Sequence, residues 1–293
     1  MMRLQWQRFG LGVIGLVALT ITAVGCGSSR DSGGKDSGFS ASTTPGCKRG
    51  VAWPGRKLTD ADTEHGLSWW YNWSNSADGS VPGVVFEPMV RASGDIDAKR
   101  VHAAKEAGAQ NLLGFNEPNF FAQANLSAAD AAKLWPQLQS IADTEQLGLV
   151  GPAVNFCGDD KNKTGPCHDT SPFDYLEDFF AACADCRVDF VAVHWYNCDT
   201  DSLKWYLGQF EQFGRPIWLS EFACAYGGDT SVAGQEAYMR AAIPVLEADP
   251  NVFRYAWFSA DPIPEARLFD ESATLTALGR AYVALPHADS CTD

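Results

Sequence analysis

Between positions 47 and 291, short runs of Val, Ile, Leu, Phe, Trp and Tyr alternate with longer amphipathic stretches. The runs fall at 49–53, 67–73, 83–89, 111–116, 147–154, 188–196, 216–222 and 252–259. They show little polar alternation, which predicts parallel strands covered on both faces. The stretches between them predict helices, most clearly at 96–107, 127–147, 172–183, 202–213, 232–247 and 272–285. Ser127-Ala128-Ala129-Asp130 resembles a capping box with a shorter acid, and Ser171-Pro172 sets a cap before Pro at the first helical position. Strands alternating with helices over a length of about 250 residues predict an α/β fold, a single-domain (β/α)8 TIM barrel. A doubly wound sheet would carry a Gly-rich phosphate turn after its first strand, and Trp53-Pro54-Gly55-Arg56 is not one.

Residues 1–46 break this rhythm. Arg3 and Arg8 flank the start of an apolar run that ends in Ala23-Val24-Gly25-Cys26. The run is shorter than the roughly 20 residues of a membrane span and suits a signal peptide over 1–25. Cys26 after small residues resembles a lipobox, so a lipid anchor at the bacterial cell surface is expected, with plain secretion as the alternative. Positions 26–46 then read as a Gly/Ser-rich tether. The net charge of −14 excludes nucleic acid as an expected partner, and a monomer is expected.

Nine cysteines less Cys26 leave an even set, which in an exported chain reads as disulfides. Cys183-Ala184-Asp185-Cys186 lacks a second such pair or paired His residues, so no metal site is expected from it. A set this size allows on the order of a hundred pairings. A closed barrel would bring Cys47 to Cys291. Cys198 and Cys224 follow adjacent strands, Cys157 and Cys167 tie one loop, and Cys183 is left with Cys186.

A barrel places chemistry at the C-terminal ends of its strands. Here those ends are polar and aromatic, and two carboxylates stand out: Glu117 in Asn116-Glu117-Pro118 and Glu221 in Ser220-Glu221-Phe222. Glycoside hydrolysis needs a proton donor on the leaving oxygen and a second carboxylate across the sugar. Asn116 suits a sugar 2-OH, Tyr196 can orient Glu221, and His194 shares the Tyr196 face. Trp53, Trp70, Trp73, Trp195 and Trp257 lie near the cup as candidate sugar platforms, with Asn72 and His194 as hydroxyl partners. Trp135 and Trp205 on helices, and Trp218 pointing outward from the seventh strand, read as core, and Glu87 and Asp261 as loop or salt-bridge residues.

Glu117 and Glu221 on strands 4 and 7 look like the pair of the large superfamily of retaining (β/α)8 glycosidases. The ordered set Gly50-Val51-Ala52-Trp53, Trp70-Tyr71-Asn72-Trp73, Leu113-Gly114-Phe115-Asn116-Glu117-Pro118, His194-Trp195-Tyr196, Trp218-Leu219-Ser220-Glu221-Phe222 and Tyr255-Ala256-Trp257-Phe258 resembles glycoside hydrolase family 128. The resemblance implies an endo-β-1,3-glucanase without a cofactor, Glu117 being the acid/base and Glu221 the nucleophile. Glu87 departs from the apolar residue expected at its position. Glu117 is expected to be held protonated by burial or by Glu221. A β-1,4-glucanase or mannanase of the same superfamily, or a noncatalytic glycan-binding barrel, are the alternatives.

Overall fold

The computed structural model describes residues 47–53, 66–77 and 83–287. The expected signal peptide, Cys26, the tether and Cys291 lie outside the described residues. The elements run β1 (Arg49–Ala52), β2 (Trp69–Tyr71), β3 (Val85–Phe86), α1 (Ala98–Glu106), β4 (Asn111–Leu113), α2 (Ala128–Glu145) and β5 (Gly148–Val154). They continue with α3 (Pro172–Ala182), β6 (Phe190–Asn197), α4 (Thr200–Gln209), β7 (Ile217–Tyr226), α5 (Val232–Ala248), β8 (Val252–Phe258) and α6 (Ala277–Ala284). The two expected caps are present: Ser127 Oγ accepts from Asp130 N at 3.2 Å, and Ser171 Oγ from Asp174 N at 3.2 Å.

All eight strands are parallel, in the order β3-β2-β1-β8-β7-β6-β5-β4. Strands β5 and β8 are buried along their whole length, as their unbroken apolar character requires. One set of side chains from the strands, including Trp69, Tyr71, Leu113, Val150, Phe190, Trp218 and Phe253, meets inside the curl. The opposite set packs under the helices.

The sheet curls into a half-barrel that is not laddered all the way round. Between its end strands β3 and β4 the only link of ladder type among the described residues is one parallel bridge, Met89 with Leu113. It carries hydrogen bonds from Leu113 N to Pro88 O and from Val90 N to Leu113 O, both 2.9 Å. Glu87 supplies what the ladder lacks. Its Oε2 accepts from Gln110 N (3.0 Å) and Asn111 N (2.8 Å), and its Oε1 from Asn111 Nδ2 (3.0 Å) and Arg254 Nη1 (2.7 Å). The residue that departs from the family pattern is thus a salt-bridge residue binding the seam.

Trp218 differs from its expected outward orientation. It packs inside the curl, 4.8 Å from the Trp69 ring and 5.9 Å from Phe190. A register shift explains this: Val193 pairs with Leu219, but the next residue, His194, pairs with Glu221. The extra residue, Ser220, is a bulge, so Trp218 and Glu221 face the same side despite their odd spacing. Trp205, also expected in the core, is exposed on α4. The disulfides Cys157–Cys167, Cys183–Cys186 and Cys198–Cys224 are all formed as expected.

Candidate active site

Glu117 lies just beyond β4, where Glu117 N still bonds Ala153 O of β5 at 2.8 Å. Its φ of +39° is left-handed, an unfavourable conformation for a non-glycine residue and a common one where function dictates backbone shape. Glu221 is aimed into the curl by the Ser220 bulge. His194, on β6 between them and fully buried, faces both: its Nδ1 is 3.0 Å from Glu117 Oε1 and 3.2 Å from Glu221 Oε2. A carboxylate oxygen from each glutamate and a His194 nitrogen all lie within 4.8 Å of one another.

The two carboxyls are held differently. Glu221 Oε1 accepts from Tyr71 Oη (3.0 Å) and Trp73 Nε1 (2.7 Å), while Oε2 accepts a short hydrogen bond from Tyr196 Oη. Burial and the Glu221 charge push both phenols well above their ordinary range, which keeps them donors. Glu117 takes Asn155 Nδ2 (3.1 Å) and His194 on the same oxygen, Oε1. A metal ion at these three residues would compete with those donors for the carboxylate lone pairs.

Burial raises both carboxyls. For Glu117, the hydrogen bond and charge of His194, with help from Asn155, outweigh burial and leave it below its ordinary value. Glu221 stays above its ordinary value because burial and the Glu117 charge outweigh His194 and the other donors. His194 is raised by the two carboxylates despite its burial. This runs against the expectation that Glu117 is the carboxyl held protonated, and the reason is the imidazole in direct contact with it.

The site opens into a cavity of about 700 Å³ lined by both glutamates, Asn116, Asn155, Tyr196, Trp73, Arg91, Phe120, Gln123, Tyr226 and Phe258. Glu117, Glu221, Asn116 and Tyr196 therefore come together as expected, with His194 behind them. Asn72 is half-buried away from the cavity, its Nδ2 donating to Ser76 O at 3.3 Å. The tryptophans Trp53, Trp70, Trp195 and Trp257 are packing residues. Their rings meet Phe269 (4.7 Å), Phe86 (5.0 Å), Tyr206 (4.7 Å) and Phe222 (5.1 Å), respectively. Strand parity explains three of them, since Trp70, Trp195 and Trp257 neighbour the inward Tyr71, Tyr196 and Phe258. Sequence reading missed Tyr71, Asn155 and Phe258, and the same parity rule points to Tyr71 and Phe258.

An eight-stranded parallel sheet with two buried glutamates on neighbouring donor networks, open to one aromatic-lined cavity, defines a glycoside hydrolase site. The model of the glycosyl hydrolase catalytic core matches residues 50–282, and the chain belongs to that family. Within it, the chain is a member of GH128. A GH128 (subgroup II) endo-β-1,3-glucanase from Sorangium cellulosum is 42% identical, with a TM-score of 0.73 over 82% of this chain and 99% of that one. A subgroup I endo-β-1,3-glucanase from Amycolatopsis mediterranei, in complex with laminaritriose, is 32% identical with a TM-score of 0.67, covering 82% and 99% of the two chains. Alkali-sensitive linkage protein 1 of Schizosaccharomyces pombe is 31% identical over 255 residues, 80% of this chain and 44% of that protein. The chain thus spans less than half the length of that curated relative.

Proposed function

We propose that the protein is a retaining endo-β-1,3-glucanase, its strands forming a (β/α)8 barrel, with Glu117 as acid/base and Glu221 as nucleophile. The observation that supports this is that His194 Nδ1 bridges the two carboxyls, at 3.0 Å from Glu117 Oε1 and 3.2 Å from Glu221 Oε2, with one oxygen of each carboxyl within 4.8 Å of the other, an approach close enough for the shorter of the two spacings. Retaining enzymes hold their carboxyls roughly 5–5.5 Å apart, whereas inverting ones need about 6.5–9.5 Å to admit a water. The Sorangium and Amycolatopsis relatives support the β-1,3-glucan substrate.

Glu221 attacks the anomeric carbon while Glu117 gives its proton to the departing glycosidic oxygen. Water then enters, Glu117 takes one of its protons, and the hydroxide oxygen replaces Glu221 on the sugar. The donors Tyr71, Trp73 and Tyr196 favour the ionised form of Glu221 and fix its orientation. Glu117 must hold a proton at the first step, and His194 Nδ1 is placed to hand it over. His194 Nε2 is buried without a partner, so a doubly protonated ring leaves one N–H unsatisfied. Transfer of the Nδ1 proton to Glu117 leaves that Nε2–H in place, but it removes the charge from the buried ring and keeps the number of protons on the trio unchanged.

The three disulfides fit work outside the cytoplasm, and a lipid tether at Cys26 would keep the monomer at the cell surface. Incubation of the chain with laminarin, lichenan, cellulose and mannan tests the substrate assignment. Short oligosaccharides released from laminarin with retained anomeric configuration are expected. Glucose as the sole early product overturns the endo assignment. Cleavage of a β-1,4-linked glucan with laminarin untouched overturns the linkage.

A further inference from the structure

Trp205 is 54% exposed, more than any other large hydrophobic side chain among the described residues. Its ring is nonetheless anchored. It meets Phe173 edge-on at 6.2 Å, and Phe173 meets Phe156 edge-on at 5.6 Å. Phe156 directly follows Asn155, which lines the cavity and holds Glu117. Phe156 and Phe173 are themselves only half-buried. Phe156 lies just past the C-terminal end of β5, and Phe173 in the first turn of α3. Both α3 and α4 begin on the catalytic side because each follows a parallel strand. Phe156 itself packs on the helix side, 5.7 Å from Tyr206, so the three rings form a row that starts beside the cavity residue Asn155 and runs to the outer surface.

We infer that this row extends the substrate-binding surface and holds a stretch of the β-1,3-glucan polymer outside the catalytic cavity, with Trp205 as its outermost platform. The inference rests on the substrate class proposed above. An indole presents a rigid apolar face at low entropic cost, which suits the C–H face of a sugar. The flanking groups suit its hydroxyls. Asp201 lies one turn before Trp205 in an exposed ion pair with Lys204 (3.0 Å), and Gln209 lies one turn after, its Nε2 donating to Trp205 O (3.3 Å). A solitary exposed ring on a polar helix is a poor match for a protein partner, which needs a larger apolar patch.

The test compares wild-type chain with Trp205→Ala and Trp205→Tyr, on laminarin and on the shortest laminari-oligosaccharide that the wild type cleaves. Loss of one stacking platform should raise KM for laminarin by about two- to tenfold. Retention by insoluble β-1,3-glucan should fall in parallel. The kcat on laminarin and all constants on the short substrate should stay unchanged, and Trp205→Tyr should recover most of the loss. An unchanged laminarin KM, or an equal change on both substrates, overturns the inference. So does a wild-type dimer that Trp205→Ala converts to a monomer, since the ring is then an interface between copies. Wild-type chain inert on every β-1,3-glucan would instead sink the substrate class itself, a separate outcome.

Discussion

Two buried carboxylate clusters sit inside the same curled sheet, and they are neutralised in opposite ways. Glu87 is fully enclosed, both its oxygens are hydrogen-bonded, and its charge is matched by the single guanidinium of Arg254. Arg254 in turn lies 5.2 Å from the Trp218 ring centroid, so the pair is sealed by aromatic side chains. Glu117 and Glu221 share one imidazole between two carboxyls and face a cavity of about 700 Å³. The first arrangement has nothing left to give and binds the β3–β4 seam. The second leaves two carboxyls competing for one imidazole beside room for a substrate, which is what proton-transfer chemistry needs.

Removing the nucleophile should produce the largest effect. Glu221→Ala is expected to lower kcat by about 10⁴-fold or more, with little change in stability. Azide should restore turnover of Glu221→Ala and give a product of inverted configuration, because the anion takes the place of the lost carboxylate. If Glu117→Ala gives that inverted product instead, the two roles are reversed. Glu87→Ala should do the converse. It leaves Arg254 buried and unpaired, so a loss of about 3–5 kcal/mol in urea unfolding is expected, with kcat nearly intact in the folded fraction. A collapse of kcat without loss of stability would erase the distinction between the clusters.

The sequence made the strand order of chemistry readable because each functional side chain sits at a strand end, where polar residues interrupt an apolar run. Glu117, Asn116, Tyr196 and Glu221 are legible on that ground. The orientation of the tryptophans was not legible from composition near the cup. It depends on parity, and Trp257 beside the inward Phe258 belongs under the helices, its Nε1 donating to Ala266 O at 2.8 Å. Nor could the Ser220 bulge be read, since one extra residue in a strand leaves no compositional mark and yet turns Trp218 inward. The seam between β3 and β4 was hidden for a related reason. Glu87 signals a departure, but only its contacts with Asn111 and Arg254 show that it replaces ladder hydrogen bonds.

Trp257 offers a sharper probe of that parity. Trp257→Phe removes the hydrogen bond to Ala266 O and part of the ring volume among Phe222, Tyr238 and Tyr282. A loss of about 2 kcal/mol in stability is expected, with KM for laminarin unchanged. A raised KM with unchanged stability would place the indole at the sugar after all.

The smallest expected effect concerns the proton shared at the open cluster. His194 has a folded-state value raised above its ordinary 6.5, mainly against the cost of burial by the charges of Glu221 and Glu117. A raised value means that its contribution to stability is fully present below about pH 6.5 and is lost as pH rises through the folded value. Glu117, lowered, contributes stability above its ordinary 4.5 that is lost as pH falls through its folded value, and Glu221, raised, has the opposite sign. Activity requires one proton on the trio, so the alkaline limb of kcat/KM should lie above pH 6.5 and report the loss of that proton. In His194→Asn the remaining holder is a buried carboxyl, and the alkaline limb should move down by about one pH unit, equivalent to roughly 1.4 kcal/mol. An alkaline limb that stays in place in His194→Asn would mean that Glu117 holds the proton unaided and that His194 serves only as a brace between the two carboxyls.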